Sequence, residues 1–280
     1  MRIVQTKAAL ERAIASRHLL LNLVQRDLRT RYRRSVLGWG WSMVNPAITT
    51  LIYVFVFSQF FHVRPGPGVP SGQSNFGFFL LAGLLPWNLL TGGVNGGMGA
   101  LLGGAGLMSK VSFSREHLVA GTVIAMAVSF CIELGVLTVL ELTTGYIAIQ
   151  MLPVAFVIVV LLTIFVLGIA LWFAALNIRY RDIQHLVGVF FLVWFYLTPI
   201  VYPPETIPKH SMILGHSVPM RDLLMLNPMS RFVQAIRNCF YDITLPGLNT
   251  MLALTVLSVV SFTLGYSFFI SRSARFIEEL

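Results

Sequence analysis

Glu133 and Glu141 are the ionisable side chains that fall within or beside the long apolar runs of this 280-residue sequence. A charge buried in such a run is costly, so these residues are functional candidates by default. Neither has an obvious basic partner in the sequence, and a proton-coupled carrier usually carries more buried acids and bases. Glu141 lies close enough to the end of its run to reach water. Glu133 is deeper and fits either a hydrogen-bonded structural carboxyl or a transport role.

Other catalytic chemistry is missing from the sequence. It contains no G-x-x-x-x-G-K-[ST], H-E-x-x-H, C-x-x-C or G-x-S-x-G motif. The six histidines are scattered, and Cys131 and Cys239 lie far apart in unrelated contexts, which supports neither a metal site nor a disulfide framework. We therefore predict no catalytic, cofactor-binding or metal-binding residue in this chain.

Aromatic residues crowd two of the apolar runs. Aromatic rings can stack on the apolar faces of sugars while tyrosine and tryptophan donate hydrogen bonds, so these residues could line a path for a sugar polymer. Lipid-facing packing and interfacial belts explain the same pattern. The candidate path residues are Tyr53, Phe57 and Phe60 in the first run, and Trp194 and Tyr196 in the fifth.

The composition shows what kind of element must position these groups. Hydrophobic residues make up 56% of the chain and charged residues 11%, whereas a globular protein is about one-quarter charged. The apolar runs are continuous and do not alternate with polar residues, which excludes an outer-membrane barrel. We predict a polytopic, all-α membrane protein.

Six runs are candidates for membrane-spanning helices, each needing roughly 20 apolar residues. The second run extends into a glycine-rich half, and the fifth is short and ends at a proline. The predicted spans cover residues 43–63, 76–109, 118–140, 152–178, 183–199 and 249–271.

The net charge of +9 is unevenly distributed along the chain. With six spans, 15 Lys and Arg residues fall on the side of both termini and 5 on the other side. The positive-inside rule therefore places both termini in the cytoplasm. Nine of these basic residues precede residue 35 and adjoin the first span, so they act as a topology signal and do not indicate nucleic-acid binding.

Two segments do not fit simple crossings. Before the first span, Arg26, Arg29 and Arg33 lie opposite an apolar face, which predicts an amphipathic helix along the cytoplasmic interface. Such a helix could bind a partner or serve only as a lipid-headgroup anchor.

Residues 202–248, on the outer side, are too long for a tight turn. Asn227-Pro228 there predicts the start of a short re-entrant or surface helix.

Several motifs resemble those of ABC-2 type polysaccharide export permeases. Residues 110–118 read KVSFSREHL, similar to the family's K-V-x-F-P-R-E-x-L loop, and residues 176–183 read LNIRYRDI, similar to L-N-[VI]-x-[YF]-R-D-I. Residues 31–39 (RYRRSVLGW), 197–202 (LTPIVY) and 227–229 (NPM) resemble further family motifs in the expected order. Ser114 departs from the pattern, because proline is common at that position. The resemblance covers nearly the whole chain.

The resemblance implies a single transmembrane domain over residues 1–280, with a cytoplasmic segment (1–36), a six-span bundle (37–271) and a cytoplasmic tail (272–280). It also implies a homodimer in the inner or plasma membrane and two copies of a separate ATPase subunit that bind ATP and Mg. The chain itself would be no enzyme. The residues implied in coupling to the ATPase are Lys110, Phe113, Arg115, Glu116, Arg179, Arg181 and Asp182.

The implied cargo is a lipid-linked polysaccharide, and the overall match favours a cell-wall galactan. Two alternatives remain open. One is an ABC-2 permease for a lipid or a drug, and the other is a membrane-embedded glycosyltransferase or acyltransferase. The second would need a polar catalytic cluster near a membrane face, which the sequence does not offer.

Overall fold

The computed structural model describes residues 17–31, 38, 40–60, 65–104, 115–208, 211–213, 216–273 and 276. These residues are mainly helical, as predicted. The α-helices in chain order are α1 (Arg17–Arg31), α2 (Gly40–Gln59), α3 (Phe76–Gly103), α4 (Glu116–Thr143), α5 (Leu152–Arg179), α6 (Ile183–Tyr196), α7 (Met220–Met225), α8 (Pro228–Arg237) and α9 (Leu248–Ser273).

Short elements join some of these helices. Two 3-10 turns occupy Ala148–Met151 and Pro204–Thr206, and a π-helical turn, Asn238–Asp242, extends α8. Strands β1 (Ser211–Ile213) and β2 (His216–Val218) form a small antiparallel hairpin, which the sequence did not predict.

Four of the helices are long and apolar enough to cross a membrane: α3, α4, α5 together with the turn before it, and α9. They correspond to the predicted spans two, three, four and six. The apolar parts of α2 and α6 are shorter, Met43–Phe57 and Ile183–Tyr196, and coincide with predicted spans one and five. The fifth apolar run ends its helix, α6, at Tyr196 because Pro199 follows closely and disfavours further helix.

Helices α5 and α9 lie side by side and run in the same direction. The hydroxyl of Ser258 donates a hydrogen bond to the Leu161 carbonyl at 2.7 Å. Farther along both helices, the rings of Trp172 and Phe268 stack with centroids 4.2 Å apart. The chain between these two helices must therefore return to the end at which α5 began.

The α5–α9 pair is held by close backbone contact at two glycines. A Cβ atom built at Gly265 would overlap the backbone carbonyl of Gly168, and one built at Gly168 would overlap the backbone of Ser261. The hydroxyl of Ser261 also donates to the Phe165 carbonyl at 2.8 Å. Small residues and interhelical hydrogen bonds associate helices in lipid, where the hydrophobic effect does not drive their packing.

Helix α3 contacts α2, α4, α5, α6 and α8, and therefore forms the centre of the described bundle. Its Gly93 faces Val166 of α5, and its Gly97 faces Ala170 one turn later, so α3 and α5 run in the same direction. Helix α4 runs the opposite way, because Leu118 at its start packs on Gly104 at the end of α3.

These directions bring the ends of α3, α5 and α9 together with the start of α4. Helix α1 joins this group, since its Leu23 packs on Gly121 of α4. We call this the basic end. The described arginines that it carries are Arg26, Arg29, Arg115, Arg179, Arg181 and Arg272.

Helix α8 is inserted between the long helices. Its Phe232 packs on Phe165 of α5 with ring centroids 5.2 Å apart. Phe165 is 13 residues from the start of α5, which corresponds to roughly 20 Å along the helix axis. Met229, Val233 and Ile236 are fully buried. The short helix predicted to start at Asn227-Pro228 therefore packs within the bundle, at the depth expected of a re-entrant helix.

Candidate functional site

Aromatic rings from three helices meet around Trp87 of α3. The Trp87 ring lies 5.5 Å from Phe195 and 5.9 Å from Trp194, both on α6. Tyr53 of α2 stacks on Phe195 at 6.3 Å. We call this group the aromatic cluster, and its members are Tyr53, Phe57, Trp87, Phe191, Trp194 and Phe195.

The five candidate path residues divide between this cluster and the surface. Tyr53, Phe57 and Trp194 lie in the cluster. Tyr196 adjoins it through Phe195, at 5.4 Å, but is 61% exposed. Phe60, directly after the end of α2, is 68% exposed, and its ring contacts that of Phe55. An aromatic surface thus extends from the cluster through Tyr196.

Asn227 connects the end of α6 to the start of α8. Its Oδ1 accepts hydrogen bonds from the Trp194 indole N–H at 2.8 Å and from the Met229 backbone N–H at 3.0 Å. Its Nδ2 donates to Thr198 Oγ1 at 2.8 Å and to the Leu197 carbonyl at 3.2 Å. The predicted helix start is therefore confirmed, and the same side chain also fixes the ring of Trp194.

Replacing Asn227 with alanine should destabilise the chain by about 2–4 kcal/mol, because a helix cap and three further hydrogen bonds are lost together. The melting temperature of the purified protein in detergent measures this effect. Asn249→Ala, at an exposed position early in α9, is the matched control and should leave the melting temperature nearly unchanged. Equal melting temperatures for the two variants would contradict the assigned role.

Arg237 of α8 is almost completely buried, with 2% of its surface exposed. Its Nη1 donates to the Pro199 carbonyl at 2.5 Å, its Nη2 to the Ile200 carbonyl at 2.6 Å and its Nε to the Phe79 carbonyl at 3.3 Å. Its guanidinium carbon also lies 3.5 Å from the centroid of the Phe79 ring. Arg237 therefore joins α3, α8 and the segment after α6.

Electrostatics at this end of the molecule keep Arg237 charged. Burial lowers the pKa of its guanidinium to about 9, while the carboxylates of Glu205 and Asp242 raise it, so the group is a cation at neutral pH. Burial also raises the pKa of the Asp242 carboxyl, which accepts a hydrogen bond from the Val69 backbone N–H at 3.2 Å. The loop before α3 is thereby attached to the end of α8.

The residues implied in ATPase coupling that belong to the described part of the chain lie at the basic end. Arg115 precedes α4, with its guanidinium carbon 5.9 Å from the ring of Phe276, and Glu116 is buried. The exposed Arg179, Arg181 and Asp182 follow or end α5. Lys110 and Phe113 lie outside the described residues. Two chain segments thus present charged groups at one end.

Helix α1 is amphipathic, as predicted, but its buried face differs slightly from the expected one. Leu23 and Val24 are buried, whereas Leu21 is 56% exposed. The helix packs on Gly121 of α4 through Leu23. The buried face of α1 is therefore centred on Leu23 and Val24 and does not include Leu21. Arg26 and Arg29 are exposed, and Arg33 lies outside the described residues.

Glu133 and Glu141, the two candidate acids of α4, are both buried. Glu141 is fully buried, and neither of its carboxylate oxygens has a hydrogen-bond partner in the described part of the chain. Glu133 is 7% exposed and lines a cavity between helices. Among the described residues, no group of three His, Cys, Asp or Glu side chains could hold a metal ion.

Two central residues were missed by reasoning from the sequence. Trp87 was overlooked because it stands alone in an aliphatic stretch, whereas the other cluster residues occur in runs. Arg237 was overlooked because an isolated arginine between the fifth and sixth apolar runs resembles an ordinary loop charge. A signal for its burial was present, because Val233 and Phe240, four residues before and three after it, place it on the apolar face of α8.

Comparison with known proteins gives one family and several full-length relatives. The family model "ABC-2 type transporter" matches residues 18–241. The O-antigen export system permease protein RfbA of Myxococcus xanthus is 34% identical over 264 residues, covering 94% of this chain and 96% of the relative. An RfbA of Klebsiella pneumoniae is 27% identical over 94% of this chain and 95% of its own length. The polysialic acid transport protein KpsM of Escherichia coli is 23% identical over 67% of this chain and 70% of its own length.

Proposed function

Because this chain belongs to the ABC-2 type transporter family, we propose that it is the permease subunit of an ATP-driven exporter that moves a lipid-linked polysaccharide out of the cytoplasm. The observation that carries this proposal is its 34% identity, over 94% of its length, to an O-antigen export permease. Permeases of this kind are transport components and not enzymes. The more specific proposal for the cargo is a cell-wall galactan, supported by the sequence resemblance alone.

The proposed topology has six spans in the inner or plasma membrane, with both termini cytoplasmic. The four long helices supply four spans, and the shorter α2 and α6 supply the other two. The basic end supports this orientation, because it gathers arginines from α1, α4, α5 and α9 as the positive-inside rule requires of a cytoplasmic face.

The proposed assembly is a homodimer with two copies of a separate ATPase subunit, which would bind ATP and Mg. Apolar side chains exposed on α2 and α6 support a partner copy at these helices, including Leu51 and Phe55 on α2 and Val189 and Val193 on α6. The ATPase would dock at the basic end, where short charged segments can transmit its closing motion to the helices. Arg179, Arg181, Asp182 and Arg115 are the described residues proposed for this contact.

The proposed translocation path runs along the aromatic surface of α2 and α6. Tyr196 and Phe60 are exposed there, and the aromatic cluster supports the helices that carry them. Flat rings hold sugars by stacking without fixing them at one position, which suits a polymer that must slide.

Depletion of this protein in its native host tests the proposed function. We expect lipid-linked glycan to accumulate on the cytoplasmic face and to disappear from the outer face, and re-expression of the wild-type chain to restore its delivery. Accumulation of a galactose polymer would support the narrower proposal. Normal outward delivery of every lipid-linked glycan would refute the function, and accumulation of a lipid or drug would favour the alternative class of cargo.

Complementation of the depleted cells tests the path. Tyr196→Ala should reduce export about three- to tenfold, the equivalent of one lost stacking contact. Phe156→Ala, on α5, is a matched control because both rings are 61% exposed, and it should export normally. Equal export by the two variants would argue against the aromatic surface as the path.

Charge reversal at Arg181 tests the coupling site. Arg181→Glu should weaken association with the ATPase about tenfold, because like charges placed across an interface are costly. Co-purification of the ATPase with the tagged permease measures this. Arg181→Lys keeps the charge and should retain most of the association. Unchanged co-purification and export in Arg181→Glu, and likewise in Arg115→Glu, would count against this interface.

A further inference from the structure

A group of two aromatic rings and one arginine lies on the side of the α5–α9 pair, near the basic end. The ring of Trp172 on α5 stacks on that of Phe268 on α9, with planes 9° from parallel. The guanidinium carbon of Arg272, one turn beyond Phe268, lies 4.5 Å from the centroid of the Phe268 ring. We call these three residues the flank stack. The cation–π contact holds the charge of Arg272 beside an aromatic surface that two helices share.

The flank stack is accessible from outside the bundle. Trp172 is 37% exposed, and Arg272 is half-buried. Nearer the start of α9, apolar side chains are exposed at Leu252, Val256 and Leu264. Aliphatic side chains exposed on a membrane-spanning helix contact the acyl chains of lipids. The flank stack therefore continues a surface that faces lipid.

The depth of the flank stack matches the polar boundary of a membrane. Trp172 lies seven residues before the end of α5, and Phe268 five residues before the end of α9. At 1.5 Å per residue, the two rings are about 7–10 Å from the helix ends. Tryptophan is enriched at membrane–water interfaces, and arginines near helix ends extend toward the headgroups. The rings thus lie beside acyl chains, and Arg272 lies closer to the lipid phosphates.

The charges beyond the stacked rings favour one class of headgroup. A guanidinium is a planar cation that can donate two parallel hydrogen bonds to a phosphate. Arg272 provides one such group on α9. Arg179, two turns beyond Trp172 on the same face of α5, is exposed and provides a second. Basic pockets between membrane-spanning helices on the cytoplasmic side suit anionic headgroups, whereas a zwitterionic headgroup also brings an ammonium that these arginines repel.

Other occupants fit the flank stack less well than a lipid. An ATPase that docks at the helix ends would not reach rings about 7–10 Å farther along the helix axes. A partner copy is proposed at α2 and α6, whereas α9 packs mainly on α5. The combination of an arginine with exposed rings at the membrane boundary matches a molecule that has both a charged headgroup and acyl chains.

We propose that the flank stack is a binding site for an anionic phospholipid. Arg272 binds the phosphate of the headgroup, and Trp172 contacts the first part of the acyl chains. The proposal goes beyond the proposed function and requires only that the chain lies in a membrane. Assignment of this lipid to the cytoplasmic leaflet rests on the proposed topology.

Fluorescence quenching of Trp172 in the full-length chain, reconstituted in phosphatidylcholine vesicles, tests this site. The probes are phosphatidylglycerol and phosphatidylcholine brominated at the same acyl carbons, titrated separately. The signal of Trp172 is the quenching that is lost in Trp172→Phe. We expect half-maximal quenching at a mole fraction of brominated phosphatidylglycerol about five- to tenfold lower than that of brominated phosphatidylcholine, as one charged hydrogen bond provides.

Arg272→Gln removes the charge and should bring the two titrations within about twofold of each other. Quenching by brominated phosphatidylcholine should persist, which shows that the variant is folded and that its rings still face lipid. Arg272→Lys keeps the charge without the planar fork and should retain part of the preference. Arg231→Gln is the matched control, because Arg231 is also half-buried but lies on α8, away from the basic end. It should behave like the wild type.

Four results would overturn the proposal. The first is equal titration of the wild type by the two lipids, and the second is an unchanged preference in Arg272→Gln. The third is absence of Trp172 quenching by either lipid, which would indicate that a second copy of the chain covers the flank stack. The fourth is displacement of brominated phosphatidylglycerol by an excess of glycerol 3-phosphate, which would identify a site for free phosphate. The assay needs neither ATPase nor export, so its failure is distinguishable from failure of the proposed function.

Discussion

Replacing Arg237 with methionine is expected to destabilise the folded chain by about 3–5 kcal/mol, the range found when one partner of a buried charged contact is removed. Methionine fills similar space but cannot donate hydrogen bonds. The carbonyls of Phe79, Pro199 and Ile200 would then remain buried without the donor that Arg237 supplies. The melting temperature in detergent and the yield of folded protein from membranes measure the loss.

Two further variants separate the effect of the hydrogen bonds of Arg237 from that of its charge and from a general effect of removing an arginine. Arg237→Lys keeps the charge but lacks the planar fork that reaches several carbonyls at once, so it should recover only part of the stability. Arg29→Met removes an exposed arginine of α1 and should change the melting temperature little. If Arg237→Met melts within a degree or two of the wild type, Arg237 does not hold these segments together.

Replacing Gly265 with leucine should cost about 3 kcal/mol or more, because the new side chain must displace the backbone of α5. A Cβ atom at this position already overlaps the Gly168 carbonyl. Separation of the helices would also lengthen the hydrogen bonds that Ser258 and Ser261 donate to the carbonyls of α5. Melting temperature and export should therefore both fall.

Gly135→Leu is the matched control for this substitution. Gly135 also lies within a membrane-spanning helix, α4, but a Cβ atom there has open space around it. A leucine should be tolerated, so any general effect of replacing a membrane glycine would appear in this variant. Equal losses in the two variants would show that close contact between α5 and α9 is not the cause.

Much of the fold could be predicted from hydropathy. The runs that became α3, α4, α5 and α9 were recognisable because a membrane requires about 20 apolar residues per crossing. The start of α8 was recognisable from Asn227-Pro228, a local signal that depends on capping alone. The shortness of α6 was also recognisable, because Pro199 follows it closely. The shortness of α2 and the depth to which α8 is inserted depend on tertiary packing and have no such local signal.

The candidate site was predictable only in part. Aromatic runs identified Tyr53 and Trp194, but their connection through Trp87 is formed by three helices that are distant in the sequence. The cavity at Glu133 likewise needs Asn45 and Asn88 from two other helices. In the sequence Glu133 was an isolated acid, and only packing revealed the amides that accompany it.

The hydrogen bonds that Arg237 donates also affect when this part of the chain can fold during its synthesis. Phe79 precedes Arg237 by 158 residues, so at about 5–20 residues per second the ribosome needs roughly 10–30 s to supply this donor. Pro199 and Ile200 precede Arg237 by 38 and 37 residues, so α6 is synthesised only about 2–8 s before this donor. Until Arg237 is added, the carbonyls of Phe79, Pro199 and Ile200 depend on water or on temporary partners. Helix α8 must therefore enter between helices that were inserted before it. Completion of this part of the permease is a late event in its biogenesis, which a nascent chain stopped before Pro228 cannot reach.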